Sequence, residues 1–274
     1  MKKFLVLMLA LALVLTFTAC NTPSEDGKET PSETPEATPA APVDDPTVKS
    51  EGVMTYAEYI AAELEAAVVI EAYVQAKQSW WNDQCTVYLA DADGAYLAYN
   101  MACSEADYAK LVKGAKIRVT GYKAEWSGEV EIGAGATFEL LEGNYIASIF
   151  DATSLLGNTD ELVKHQNEFV SFKGLTVAPS KDKEGNDVAF LYNWDGSGAA
   201  GSDSDLYFNV SLNGETYQFV IEYYVCDANG VYGAETDVYK AVQSLEIGDV
   251  IDIEGFLYWY NGAQPHVTAV KTVS

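Results

Sequence analysis

The sequence predicts a mainly β protein made of two small five-stranded Greek-key barrels in tandem, each with short helices, after an export signal and a disordered linker. Three observations carry that prediction. A strand-turn-strand stretch occurs twice, the element order around each copy is the same, and each half contains a two-residue hairpin signal. The first copy runs from Gly114 to Gly128 (GAKIRVTGYKAEWSG) and the second from Gly248 to Gly262 (GDVIDIEGFLYWYNG). Gly114, Gly121 and Gly128 fall in register with Gly248, Gly255 and Gly262, and Ile117 and Val119 match Ile251 and Ile253. An aromatic, Tyr122 or Phe256, follows each middle glycine. Apolar residues at every second position are what a strand with one buried face requires, and a repeat of this kind sets the architecture of the whole chain.

The first half starts with Thr55-Tyr56-Ala57-Glu58, a capping box that opens a helix reaching about Ala66. A first strand follows over about Val68 to Gln78, then a loop holding Trp80 and Trp81. Two strands, Cys85 to Ala90 and Tyr96 to Ala102, join through Asp93-Gly94 as a hairpin. A short helix from Ser104 precedes strand four, the Ser127-Gly128 turn and strand five. The second half repeats this order. A short helix begins at Thr159, strand one covers Phe169 to Ala178, and strands two and three join at Asn213-Gly214. Thr236 caps the next helix, and the chain ends in a strand from His266. The insertion over 179–205 carries one extra strand, Val188 to Trp194, and an acidic, glycine-rich tip whose spacing fits no EF-hand. Five short strands with a helix between the third and fourth resemble an OB-fold, a small Greek-key barrel. The domains expected are therefore 52–146 and 147–274.

Residues 1–19 read as an export signal, with Lys2-Lys3 ahead of an apolar run from Phe4 to Phe17 that is too short for a comfortable membrane span. Thr18-Ala19-Cys20 resembles a bacterial lipobox, which makes Cys20 the lipidation site. Residues 20–51 are rich in Pro, Thr, Ser, Glu and Asp and read as an extended tether. Three cysteines remain in the folded region, and Cys85 and Cys103 flank the first hairpin as a candidate disulfide. Taken whole, the chain is similar to bacterial cell-surface lipoproteins with tandem OB-fold domains. That resemblance implies a lipid-anchored module on the extracytoplasmic face of the cell membrane and brings no catalytic residues with it.

Composition bears on the partner. The chain has 16 Lys and Arg against 41 Asp and Glu, a net charge of −25, and Arg118 is its single arginine. Nucleic-acid affinity draws largely on cations that neutralise phosphates, so the charge makes nucleic acid an unlikely partner. No G-x-S-x-G elbow, H-E-x-x-H or P-loop is present, and the two histidines, His165 and His266, have no ligand neighbours at metal spacing. The expectation is no enzyme, no cofactor and no metal. OB-folds take ligands on the face of strands two and three and on the loops joining strands one to two and four to five. All five tryptophans fall in those loops: Trp80 and Trp81, Trp126, Trp194, and Trp259 between Tyr258 and Tyr260. Flat rings at such places suit stacking on bases or sugars, and equally suit cross-strand pairing or a contact between the two barrels. The function expected is a non-catalytic binding or adaptor protein contacting a glycan, peptide, protein or small ligand outside the cell. The alternatives are single-stranded nucleic-acid binding by stacking and a structural, protein-interaction module of the envelope.

Overall fold

The computed structural model describes residues 45–273. The export signal, Cys20 and most of the tether lie outside the described residues. In the first barrel β1 (Ala67–Lys77), β2 (Gln84–Ala90), β3 (Ala95–Ala102), β4 (Ala115–Trp126) and β5 (Glu129–Ile132) run in the order β1-β2-β3-β5-β4, and β4 pairs back onto β1 to close the ring. A further strand that the sequence reading left unassigned, β6 (Thr137–Asn144), lies along β4. The second barrel has the same order: β7 (Phe169–Ala178), β8 (Leu206–Leu212), β9 (Glu215–Ile221), β11 (His266–Thr272) and β10 (Val250–Phe256), closed by the pairing of β7 with β8. The chain thus forms two closed five-stranded barrels of OB type, as the repeat predicts. Ile117, Val119, Ile251 and Ile253, the matched positions of the repeat, are all buried.

Local chemistry explains where elements stop. Helix α1 (Tyr56–Ala61) has the expected capping box between Thr55 and Glu58. It ends five residues short of Ala66, because the Lys123 ammonium donates to the carbonyls of Ile60 (2.6 Å) and Ala62 (2.8 Å) and satisfies the last turn. The first hairpin forms, but Asp93-Gly94 is not a left-handed pair. The Asp91 carboxylate instead accepts the backbone N–H groups of Asp93 and Gly94, and Gly94 is needed because the Tyr56 ring lies where a side chain would go. Asn213-Gly214 has both φ values positive and is the expected tight turn. In the insertion, the single strand expected over Val188 to Trp194 is two short pieces. Asp187–Val188 pairs with Ser180–Lys181, and Phe190–Tyr192 adds to β8. The sole arginine is tied to barrel one, its guanidinium 2.8 Å from the buried Glu71. Lys49, from the end of the expected tether, meets the buried Asp91 carboxylate at 2.6 Å.

Both barrels belong to one compact unit, and their joint is built from polar groups around a small apolar cluster. Tyr88 and Leu97 of barrel one pack with Phe256 of barrel two. On one side Ser79 N–H donates to the Tyr224 carbonyl (2.8 Å) and Cys226 N–H to that of Lys77 (2.9 Å). On the other, Gln166 accepts from Val130 N–H (3.1 Å) and donates to the Gly128 carbonyl (2.8 Å). Asn167 donates to the Val130 carbonyl (3.2 Å), and the fully buried Glu129 carboxyl accepts Trp259 N–H at 2.9 Å. Burial pushes Glu129 up to about 8, against the lowering effect of its contacts with Asn167 and Trp259, and pushes neighbouring Glu131 up to about 7.

Two predictions follow from these contacts. A methyl group at Gly255 would collide with the His266 carbonyl and the Val267 backbone, whereas at Gly121 it would meet the Ile132 side chain, which can turn, and the Ala136 methyl, at longer distances. Gly255→Ala is therefore expected to cost more than Gly121→Ala, with overpacking costs of about 1–3 kcal/mol, as read from urea unfolding. The second concerns pH. A carboxyl with a folded pKa above its unfolded value binds its proton more tightly when folded, so its contribution is complete below the ordinary carboxylate pKa and lost as pH rises through the folded value. The thermal midpoint is expected to fall as pH rises from about 5 to about 9, and Glu129→Gln to flatten that fall.

A cleft between the barrels as candidate functional site

Strand alternation decides which side chains reach the space between the barrels. In β2 and β3, Val87, Leu89, Tyr96 and Ala98 point into the core of barrel one. Thr86, Tyr88, Leu97 and Tyr99 point the other way, toward barrel two. Tyr207 on β8 and Gln218 on β9 occupy the corresponding outward positions there. Together with the turn residues Trp126, Tyr258, Tyr260 and Asn261, and with Trp194 from the insertion, they enclose a cleft of about 790 Å³. The face of strands two and three and the four-to-five turns are the places where OB-folds take ligands.

Rings and amides dominate the lining. Trp126 is 61% exposed and Trp194 72%, so both present bare indole faces at the cleft rim. His266 forms the floor, stacked on Tyr258 with centroids 4.2 Å apart, its Nδ1 2.6 Å from the Tyr88 hydroxyl. Burial holds His266 down at about 3, so the imidazole is neutral. Gln78, Asn100, Gln218, Asn261 and Gln264 bring side-chain amides to the cleft. No lysine or arginine lines it. Its one carboxyl, Glu222, is pushed up to about 8 by burial, with nearby Asp205 adding to the effect. At neutral pH the walls are thus essentially uncharged, and every amide offers a donor and an acceptor together.

The structure brings four of the seven aromatic candidates together: Trp126, Trp194, Tyr258 and Tyr260. The other three go elsewhere. Trp259 alternates away from its two tyrosine neighbours and is only 7% exposed, packed against Gly128 in the joint. Trp80 donates its indole N–H to the Cys103 carbonyl at 2.8 Å. Trp81 is 68% exposed on the β1–β2 loop, outside the cleft. Sequence reasoning missed Tyr99, Tyr207 and the amides. Their signal was present in composition: β2, β3 and β8 carry no charged residue on either face, which is how a strand reads when both faces are covered. The candidate disulfide pair stands as two free thiols, and Cys226 is free as well. The register places Met101, not Cys103, directly opposite Cys85. Among the described residues no three His, Cys, Asp or Glu side chains converge as a metal-binding set.

No protein-family model matches the chain, and no curated protein matches it. Solved structures similar to it include a p204 HINb domain, 13% identical, covering 77% of this chain and 100% of that one, with a TM-score of 0.33. An Ifi202 HINa domain in complex with a 20-bp dsDNA is 11% identical over 76% of this chain and 98% of that one, with a TM-score of 0.32. A replication protein A heterotrimer bound to ssDNA is 13% identical over 81% of this chain and 52% of that one, with a TM-score of 0.27. The likeness is one of fold and carries no residue across. The reading that nucleic acid is an unlikely partner is corrected by the cleft itself, whose lining of rings and amides can hold bases without any cation. That reading took net charge to decide the matter, as if a strand must be gripped by its phosphates. A strand gripped by its bases needs rings and amides instead.

Proposed function

We propose that the protein is a non-catalytic binding module that stacks the bases of a single-stranded nucleic acid in the cleft between its barrels. The observation that carries this reading is the convergence of Tyr99, Trp126, Trp194, Tyr207, Tyr258 and Tyr260 on one open cleft. Stacking of a base on an aromatic side chain is worth about 1–3 kcal/mol and tolerates any sequence. The amides of Gln218, Asn261 and Gln264 match the donor-and-acceptor edges of unpaired bases. With no cation in the lining, the phosphates stay in water, and binding depends only weakly on salt.

A second reading is favoured by the same uncharged lining: a glycan whose sugar rings stack on the indoles while hydroxyls meet the amides. The lipid anchor on Cys20 and the extracytoplasmic location belong to the proposal as well, supported by the lipobox-like Thr18-Ala19-Cys20.

Tryptophan fluorescence titrations with a short oligothymidylate and with neutral oligosaccharides separate the readings. The oligonucleotide is expected to quench, with an affinity little changed by added salt. Trp126→Ala and Trp194→Ala should each weaken it roughly 5- to 150-fold, the range of one lost stack, while Trp81→Ala leaves it unchanged. Response to the sugars alone would transfer the site to glycans, and response to neither would remove the cleft as a ring-binding site. For the anchor, labelling of cells with palmitate should mark the wild type, and Cys20→Ser should lose the label and appear in the medium.

A further inference from the structure

The stack of Tyr88 on Phe256 divides two clefts at the joint. Tyr88 lines the cleft of rings and amides, Phe256 lines a second one, and the two ring centroids are 4.4 Å apart. The second cleft measures about 480 Å³, within the range of small-ligand sites, which favour domain interfaces. Its floor is a cross-strand pair. Phe169 on β7 stands directly opposite Phe256 on β10, so both rings leave barrel two on one face. Their centroids are 5.1 Å apart, and they pack with the joint cluster instead of the barrel core. Phe256 is buried, whereas Phe169 is only half-buried. Barrel one supplies the facing wall from the end of β1 and from the loop that ends at Lys113. The Gly114 N–H ties that loop to β1 by donating to the Val74 carbonyl at 2.7 Å. Val112, on the same loop, is 58% exposed.

Charge separates this cleft from its neighbour. No lysine or arginine lines the first, but Lys77 and Lys113 line the second. The Lys113 ammonium stands 5.3 Å from the centre of the Phe169 ring. That of Lys77 lies 3.6 Å from the centre of the Tyr108 ring and donates to the Tyr108 carbonyl at 2.7 Å. Among the described residues neither ammonium has a carboxylate partner. Elsewhere the acidic chain pairs its lysines readily: Lys49, Lys110, Lys173 and Lys181 each lie 2.6–2.8 Å from a carboxylate oxygen. Two carboxyl residues also line the cleft, Asp227 and Glu254. Asp227 is taken up by its own turn, where one oxygen accepts the N–H groups of Asn229 and Val231.

We propose that the second cleft binds a small organic anion with an apolar body and a single carboxylate, the body resting on Phe169 and Val112 and the carboxylate on the Lys113 ammonium. The site is separate from the cleft of rings and amides and stands whatever that cleft holds. An ammonium beside an apolar floor offers a charge-assisted hydrogen bond to one end of such a molecule and a dry surface to the other. The surrounding acidity sets the limit on ligand charge. One negative group is matched by Lys113, whereas a polyanion meets the repulsion of a chain with net charge −25.

Equilibrium dialysis of the full chain against 2-naphthoate tests the site, with 2-naphthylmethylammonium as the probe that keeps the rings and reverses the charge. The expected result is saturable binding of naphthoate at one molecule per chain and much weaker binding of the ammonium compound. Lys113→Met should weaken naphthoate roughly 10- to 150-fold, the range for a lost hydrogen bond to a charged group, and Lys113→Arg should retain it. Lys113 is exposed, so both variants are expected to keep the thermal midpoint of the wild type. Trp126→Ala, at the rim of the other cleft, should leave naphthoate binding unchanged. The proposal is overturned by absence of saturable binding, by equal binding of the two probes, by an unchanged affinity in Lys113→Met, or by a loss in Trp126→Ala.

Discussion

The arrangement of this protein depends on the polar joint between its barrels. A purely apolar seam would let two barrels slide, because burial of apolar surface is non-directional. Here Glu129, Gln166 and Asn167 each bond to backbone across the seam, and a misaligned joint would leave those buried groups without partners. An unmade hydrogen bond of that kind costs more than a made one gains. The joint therefore fixes the relative setting of the barrels more firmly than it stabilises either of them. A cleft made of residues from both barrels is only as well defined as that setting. Trp259 bonds through its backbone to Glu129, and Asn261 through its N–H to the Ser127 carbonyl at 2.7 Å. The wall bearing Tyr258 and Tyr260 is thereby pinned to the turn bearing Trp126.

Most of the fold was legible in the sequence, because two signals that report local geometry agreed. The glycine-marked repeat located β4 and β10, and Asn213-Gly214 gave the register of β8 against β9. What was not legible depends on distant contacts. The early end of α1 is set by Lys123, sixty-odd residues away on β4. Strand β6 has an exposed, irregular pattern with no period to find, and it exists because β4 offers it an edge. In the candidate site, two of the five loop tryptophans, Trp126 and Trp194, reach the cleft, and which residues do so turned on alternation across the Tyr258-Trp259-Tyr260 turn and on the direction in which the β1–β2 loop leaves its barrel. The first is a period-two pattern and could have been applied. The second requires the barrel-to-barrel contact made by Ser79 and Tyr224.

The uncharged strands are the most instructive signal that went unused. Outward positions of a half-exposed strand normally carry charge. Tyr88, Tyr99 and Tyr207 stand at such positions with amides and a single carboxyl, Glu222, around them, in a chain of 41 acidic residues.

Net charge and cleft chemistry act on different stages of binding. The acidic surface slows the approach of a polyanion, and that effect is screened over about 8 Å at physiological salt. If the cleft takes a strand as proposed, its rings and amides would govern how long that strand stays, since affinity differences in related complexes lie mostly in dissociation. A polyanion held in that way would arrive slowly, stack without regard to sequence, and be read only where an amide reaches an edge. The neutral floor serves the same end. Tyr88 and a neutral His266 satisfy each other at 2.6 Å, so the base of the cleft makes no demand for charge on the ligand, and discrimination is left to the rings at the rim and the amides between them.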